Sequence, residues 1–238
     1  MTLLQVENLS QVAREPGRPR PRPVFAAVSF ALAPGEQVAI LGPRRAGKTA
    51  LARAIALIDR PAGGRVLLDS QDVTRAWGGR LRDLRRRLQY VGGDARRSLS
   101  PRLSVEQILA EPFQVHRLGS LAERRVQIEA AAQAWGLNPL LLGLRANALS
   151  AAVCQRVTLA RSSLLQPQLL VVDELAERLE PAALPPLLGL VSRLCRAAGM
   201  AWLWTTTDAA LAQAFSDRVL EMEDGRLKLS GQVKDLPR

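Results

Sequence analysis

The chain has 238 residues, 47% of them hydrophobic, and a formal net charge of +11, which suffices for one large domain or a domain with a subdomain. No apolar run reaches the roughly 18 residues of a membrane span, and residues 1–10 lack the basic start and apolar core of a signal peptide. Two distant cysteines, Cys154 and Cys195, and a single histidine, His116, exclude a disulfide framework, a thiolate metal site and a His-rich metal cluster, and suggest a reducing compartment.

In chain order, residues 3–6 alternate as a short strand. The Pro/Arg-rich run 14–23 (REPGRPRPRP) is a solvated loop between two strands, because proline fits neither a helix interior nor an inner strand. Residues 24–32 resume as a strand, 34–36 turn, and Val38, Ala39, Ile40 and Leu41 form a strand buried on both faces. A glycine-containing loop, 42–49, leads into an Ala- and Leu-rich helix over 51–58. Residues 65–69 alternate as β structure, and 81–87 are strongly basic. From 101 to 144 the apolar spacing becomes helical, with one face at Val105, Ile108 and Leu109 and another over 121–135, broken by Gly136 and Pro139. The run 169–172 is a continuous apolar strand of the kind found in parallel sheets. Helix 182–197, strand 201–205, helix 208–215 and strand 218–222 follow. Strands alternating with helices predict an α/β fold with a mostly parallel sheet.

The loop Gly42-Pro43-Arg44-Arg45-Ala46-Gly47-Lys48-Thr49 matches G-x-x-x-x-G-K-[ST] between a strand and a helix. Backbone N–H groups of such a loop wrap an anion, and the positive end of the helix that continues through Ala50 faces it. Lys48 would reach the β- and γ-phosphates of a nucleotide, and the Thr49 hydroxyl would ligate Mg²⁺. A lysine here is no accident of basic composition, since Lys48, Lys228 and Lys234 are the only lysines among 33 basic residues. Asp173 and Glu174 close the apolar strand 169–172. An aspartate at such a strand end can hold Mg²⁺ through water, and the adjacent glutamate is placed to polarise an attacking water.

Five stretches occur in the order and spacing of one family: 42–49, 98–105 (SLSPRLSV), 149–157 (LSAAVCQRV), 169–174 and 217–219 (DRV). Together they resemble the ATP-binding subunits of ABC transporters. Residues 98–105 are similar to the SLNPR-x-x-V stretch of the branch that imports oligopeptides, dipeptides and nickel. The resemblance covers nearly the whole chain. It implies a single ABC-type domain over 1–238, with a RecA-like P-loop core, an antiparallel β subdomain and an inserted helical subdomain at about 104–165.

The resemblance also marks departures. The family's adenine-stacking aromatic would fall near Val12 or Ala13, and Arg45 stands where the family usually has glycine. The glutamine that senses Mg²⁺ and couples to the membrane subunits would fall at Gly93. The LSGGQ signature reads Leu149-Ser150-Ala151-Ala152-Val153, the loop after Glu174 carries Glu180 in place of aspartate, and the switch histidine falls at Thr207. Losing the stacking ring forfeits roughly 1–3 kcal/mol, and losing a γ-phosphate donor costs about 10²–10³ in turnover. Ser150 still opens a helix and can offer its hydroxyl and the helix N-terminus to a γ-phosphate. Ala151 and Ala152 add methyl groups where a backbone must approach phosphate closely. Arg44 and Arg45 are placed to compensate as extra cations.

ATP and Mg²⁺ are the implied cofactors. The implied partners are a second, different ATP-binding subunit, two membrane permease subunits and, indirectly, a substrate-binding protein, at the cytoplasmic side of the inner membrane. In the family two ATP-binding subunits sandwich two nucleotides, each site joining one subunit's phosphate loop to the other's signature. A degraded subunit can persist beside a competent one. The expected function is therefore the catalytically weak member of a heterodimeric ATPase pair, in an importer for peptides, nickel or a metal chelate. One alternative is a non-catalytic scaffold. Another is a soluble nucleic-acid-associated ABC protein, suggested only by charge. With 4% aromatic residues and one phosphate loop, no nucleic-acid partner is expected.

Overall fold

A computed structural model describes residues 1–13, 21–175 and 179–232. Most of the Pro/Arg-rich run and the stretch around Glu177 therefore lie outside the described residues. In chain order the elements are β1 (Leu4–Ala13), β2 (Arg22–Leu32), β3 (Gln37–Leu41), α1 (Lys48–Ile55), β4 (Gly63–Leu68), β5 (Gln71–Asp72), α2 (Gly78–Arg87) and β6 (Leu88–Val91). Helices α3 (Ala95–Ser98), α4 (Val105–His116), α5 (Leu121–Ala134) and α6 (Ala151–Ser163) come next. The chain then runs through β7 (Leu169–Val172), α7 (Leu184–Ala197), β8 (Ala201–Thr206), α8 (Ala209–Phe215), β9 (Arg218–Glu223) and β10 (Arg226–Gln232).

Two sheets result. An antiparallel one has the order β2-β1-β4-β5, and a six-stranded one has the order β10-β9-β3-β8-β7-β6. In the larger sheet β9, β3, β8, β7 and β6 run parallel, and β10 returns antiparallel on the β9 edge. Its central strands alternate between two separate cores. Ala39, Leu170, Val172, Trp202 and Trp204 face the core shared with α3 to α8. Val38, Ile40, Leu169, Val171 and Leu203 face the core shared with α1 and the antiparallel sheet. A run of apolar residues with no polar face is what such a strand requires, so the expected buried strands at 38–41 and 169–172 are the centre of the molecule.

Several expected boundaries move. The strand expected at 3–6 is only the start of β1, which continues to Ala13 through register shifts at Val6/Leu9, Leu9/Gln11 and Gln11/Val12. Those bulges break the alternation that would have marked the strand. The helix expected at 51–58 begins at Lys48 and ends at Ile55, because Leu57 takes a left-handed backbone (φ 56°) and Arg53 turns to grip Asp59 at 2.6 and 3.0 Å. Helix α7 starts at Leu184 rather than 182. Pro185 and Pro186 then sit in its first turn, where missing N–H groups cost nothing. The basic run at 81–87 is the last seven of the ten residues of α2, and β6 and β10 are strands that the pattern did not announce.

Gly225, in the β9–β10 turn, carries this edge onto the functional loop. It donates its N–H to Ala46 and accepts from Ala26. It has φ 74°, and a β-carbon there would lie 2.6 Å from the Val24 carbonyl oxygen. We expect Gly225→Ala to destabilise the fold by about 1–3 kcal/mol. At the melting-temperature sensitivity of a chain this size that is a drop of roughly 3–10 °C, measured by differential scanning calorimetry.

Candidate phosphate-binding site

The site forms where β3, β7 and β8 end side by side. Parallel register brings Leu41 beside Thr206 and Val172 beside Trp204, so residues 42–49, 173–174 and 205–207 converge. Gly42 begins the loop by donating to Thr206 O at 3.2 Å, and Ala46 closes a turn onto Pro43 O at 3.3 Å. Among the described residues, the amides of Arg44, Arg45, Gly47, Lys48 and Thr49 donate no backbone hydrogen bond. Such an array of N–H groups at a helix start is an anion cradle.

Lys48 is 2% exposed. Its ammonium donates to Gly42 O and Pro43 O at 2.9 Å each and lies 3.4 Å from the Glu174 carboxylate. Thr49 donates to Asp173 Oδ1 at 3.2 Å, Thr205 donates to the same oxygen at 2.7 Å, and Tyr90 donates to Oδ2 at 3.1 Å. Burial, and then the nearby Asp173 charge, push the Tyr90 phenol far above its ordinary pKa. It stays protonated and remains a donor. Glu174 holds a left-handed backbone (φ 48°), fixed by its N–H donating to Thr205 Oγ1 at 3.0 Å. Thr205 thus orients both members of the acidic pair.

The donor set suits a hard divalent cation, since Thr49 and Asp173 present oxygen atoms only. Asp173 already receives three hydroxyls, so it would hold such an ion through water and Thr49 would contact it directly. Two cavities flank the loop. The larger, about 420 Å³, is lined by Ala13, Arg22, Arg45, Lys48, Arg53 and Glu174 among others. The smaller, about 110 Å³, has Arg44 and Glu174 opposite Thr205, Thr206 and Thr207. Burdened by φ 67°, Arg45 takes the left-handed backbone that glycine adopts without strain.

All of Gly42, Pro43, Arg44, Arg45, Ala46, Gly47, Lys48, Thr49 and Ala50 therefore belong to one loop and helix start, next to Asp173 and Glu174. Ser150 is not among the lining residues of either cavity. It caps α6, its hydroxyl accepting from Val153 N at 3.3 Å. Ala13 does line the larger cavity, and Val12, which does not, is 39% exposed. Glu180 is exposed ahead of a short turn at Pro181–Ala183. Gly93 is part-exposed but has no room for a side chain in this backbone, because a β-carbon there would lie 2.3 Å from the Glu174 carbonyl oxygen. Nothing in the residue pattern announced Tyr90, Thr205, Arg22 or the Arg53–Asp59 pair. The one available signal was a lone tyrosine, the only one in the chain, just ahead of Gly92 and Gly93.

A family model described as ABC transporter matches residues 25–177, more than half of the chain. The chain belongs to the ABC transporter family. It is 31% identical over 209 residues to a Brucella ovis protein named for peptide import ATP binding, covering 88% of this chain and 66% of that protein. It is 32% identical over 239 residues to the nickel import ATP-binding protein NikE of Escherichia coli, covering 99% and 89%. Among solved structures, the dimeric bacterial ABC transporter cassette MJ0796 superposes with a TM-score of 0.88 at 22% identity, covering 98% of this chain and all of that one. CbiO1 of Clostridium perfringens, part of the transporter complex cbiONQ, gives 0.85 at 24% identity, covering 98% and 90%. The fold of this ABC chain is thus the RecA-like P-loop α/β fold of ABC ATPase cassettes.

Because Gly93 packs backbone against backbone, Gly93→Gln will not restore a sensor. We expect it to part β6 from Glu174 and cost about 1–3 kcal/mol. Chemical denaturation will show a lower midpoint, with no gain in nucleotide affinity.

Proposed function

We propose that this chain is an ATP-binding subunit of an ABC importer for peptides, nickel or a metal chelate, and the catalytically weak member of a pair with a second, different ATP-binding subunit. It rests at the cytoplasmic face of the membrane against two permease subunits, which receive substrate from a binding protein. Its whole length, 1–238, acts as one ABC-type domain, in which about 104–165 is the helical subdomain that meets the permeases. Support for the substrate class comes from the names of the relatives, peptide import and nickel import ATP-binding proteins.

The mechanism starts from Lys48. On nucleotide binding its ammonium exchanges the Gly42 and Pro43 carbonyls for β- and γ-phosphate oxygens, which are stronger, charge-assisted acceptors. The loop amides take the remaining phosphate oxygens. Thr49 and Asp173 would hold Mg²⁺, which neutralises phosphate charge when bound. Lys48 then releases Glu174, whose carboxylate is free to orient a water. Ser150, on its own helix away from this loop, serves the nucleotide of the partner subunit.

One observation carries the weak-member reading. Lys48, Thr49, Asp173 and Glu174 converge within hydrogen-bond or ion-pair distance, while Gly93 has no room for a side chain, Thr207 carries no imidazole and Ala151 and Ala152 carry methyl groups. A second reading, a scaffold that binds nucleotide poorly, is favoured by the contacts of Lys48 with two carbonyls of its own loop and with Glu174. Purified alone, the protein is expected to bind a fluorescent ATP analogue and to hydrolyse ATP about 10²–10³ slower than a cassette with every donor in place. Lys48→Ala abolishes that binding. Rapid turnover by the isolated subunit contradicts the weak-member reading, and equal, negligible binding by both proteins establishes the scaffold.

A further inference from the structure

The larger cavity beside the phosphate loop is lined by four cations, Arg22, Arg45, Lys48 and Arg53, against two carboxylates, Asp59 and Glu174. Both carboxylates are already engaged. Asp59 receives two hydrogen bonds from Arg53, at 2.6 and 3.0 Å, and Glu174 pairs with Lys48 at 3.4 Å. Among the described residues, Arg22 and Arg45 have neither a hydrogen-bond nor an ion-pair partner. Two guanidinium groups therefore remain uncompensated at the mouth of an anion cradle.

Among the described residues, the same cavity has no ring on which a base could stack. No Phe, Tyr, Trp or His is among its described lining residues, and the adjoining run 14–20 contains none in sequence. A base is recognised by stacking on a ring or by its edge meeting fixed donors and acceptors. A guanidinium can lie against a base, but it does so against any base. A polyphosphate, by contrast, is recognised by cations and amides, which this cavity has in excess.

Arg45 adds an independent observation. It holds φ 67°, a strained backbone for a residue with a β-carbon, and its exposed side chain adds nothing to either core. Strain retained without a packing benefit points to a role at the site. We infer that this cavity selects a triphosphate tail and is indifferent to the base and sugar behind it, so that inorganic tripolyphosphate and any nucleoside triphosphate are ligands of one class. The inference rests on the reading of 42–49 as the nucleotide loop, and it narrows what that loop selects.

The test is isothermal titration of the full-length protein, with Mg²⁺, against ATP, GTP, CTP, inorganic tripolyphosphate and adenosine. The four triphosphates are expected to bind with Kd values within about fivefold of one another, and adenosine not to bind at millimolar concentration. Arg45→Gly relieves the backbone strain, so it folds, and it is expected to weaken all four by a similar factor of about 5–20. ATP binding more than about twentyfold tighter than CTP and tripolyphosphate, or competition by adenosine, overturns the inference and leaves the nucleotide loop standing. Failure of all four ligands to bind, with Lys48→Ala indistinguishable from wild type, overturns both.

Discussion

A buried carboxylate is costly unless its oxygens are filled by donors, and Asp173, 4% exposed, fills both with hydroxyls drawn from three elements. Thr49 brings the start of α1, Tyr90 brings β6 and Thr205 brings β8. The Asp173 N–H also donates to Val91 O at 2.8 Å, extending the β6–β7 ladder by one step. The relative placement of loop, sheet and acidic pair is therefore set by one side chain. Each donor is neutral, so the charge that must be held is the carboxylate alone, and the raised pKa of Tyr90 keeps its proton in place.

What could be read from the sequence was what is local. The strand, loop and helix around Lys48 are contiguous, and their residue types each have a separate reason to be there. The acidic pair was legible because an apolar run with no polar face ends in two carboxylates. Tyr90 and Thr205 were not legible, because their partner is 83 and 32 residues away and nothing in their own neighbourhood signals it. The four residues of β6 are too short for periodicity to separate from the preceding basic helix. In the antiparallel sheet β1 was visible only at its start, since Asn8 takes a left-handed backbone (φ 48°) that interrupts the alternation, whereas the strands expected at 24–32 and 65–69 are β2 and β4 of that sheet.

The positions that match the family and those that depart from it divide along a physical line. Lys48 closes the loop on Gly42 and Pro43, Thr49 and Asp173 join α1 to the sheet, and Asp217 accepts from Gln37 N at 2.9 Å. Each of these would be held in place by folding alone. At Gly93, Ala151, Ala152 and Thr207, the departures that the resemblance marks, neither core takes anything from the side chain: Ala151 and Ala152 are part-exposed and Thr207 is exposed. At Gly93 the Glu174 carbonyl occupies the space a β-carbon would need.

Glu174 separates the two cases. Its side chain lies outside the Asp173 cluster and is 31% exposed, and its one ion pair among the described residues is with Lys48. Its left-handed backbone carries a cost of about 1–2 kcal/mol that Thr205 offsets with a single hydrogen bond. Aspartate or asparagine would take that conformation more readily, and neither core gains from the longer acid. Glu174 lines both cavities beside the loop, so the proposed chemistry on a phosphate rests on the acidic residue beside Lys48 as much as on Lys48 itself.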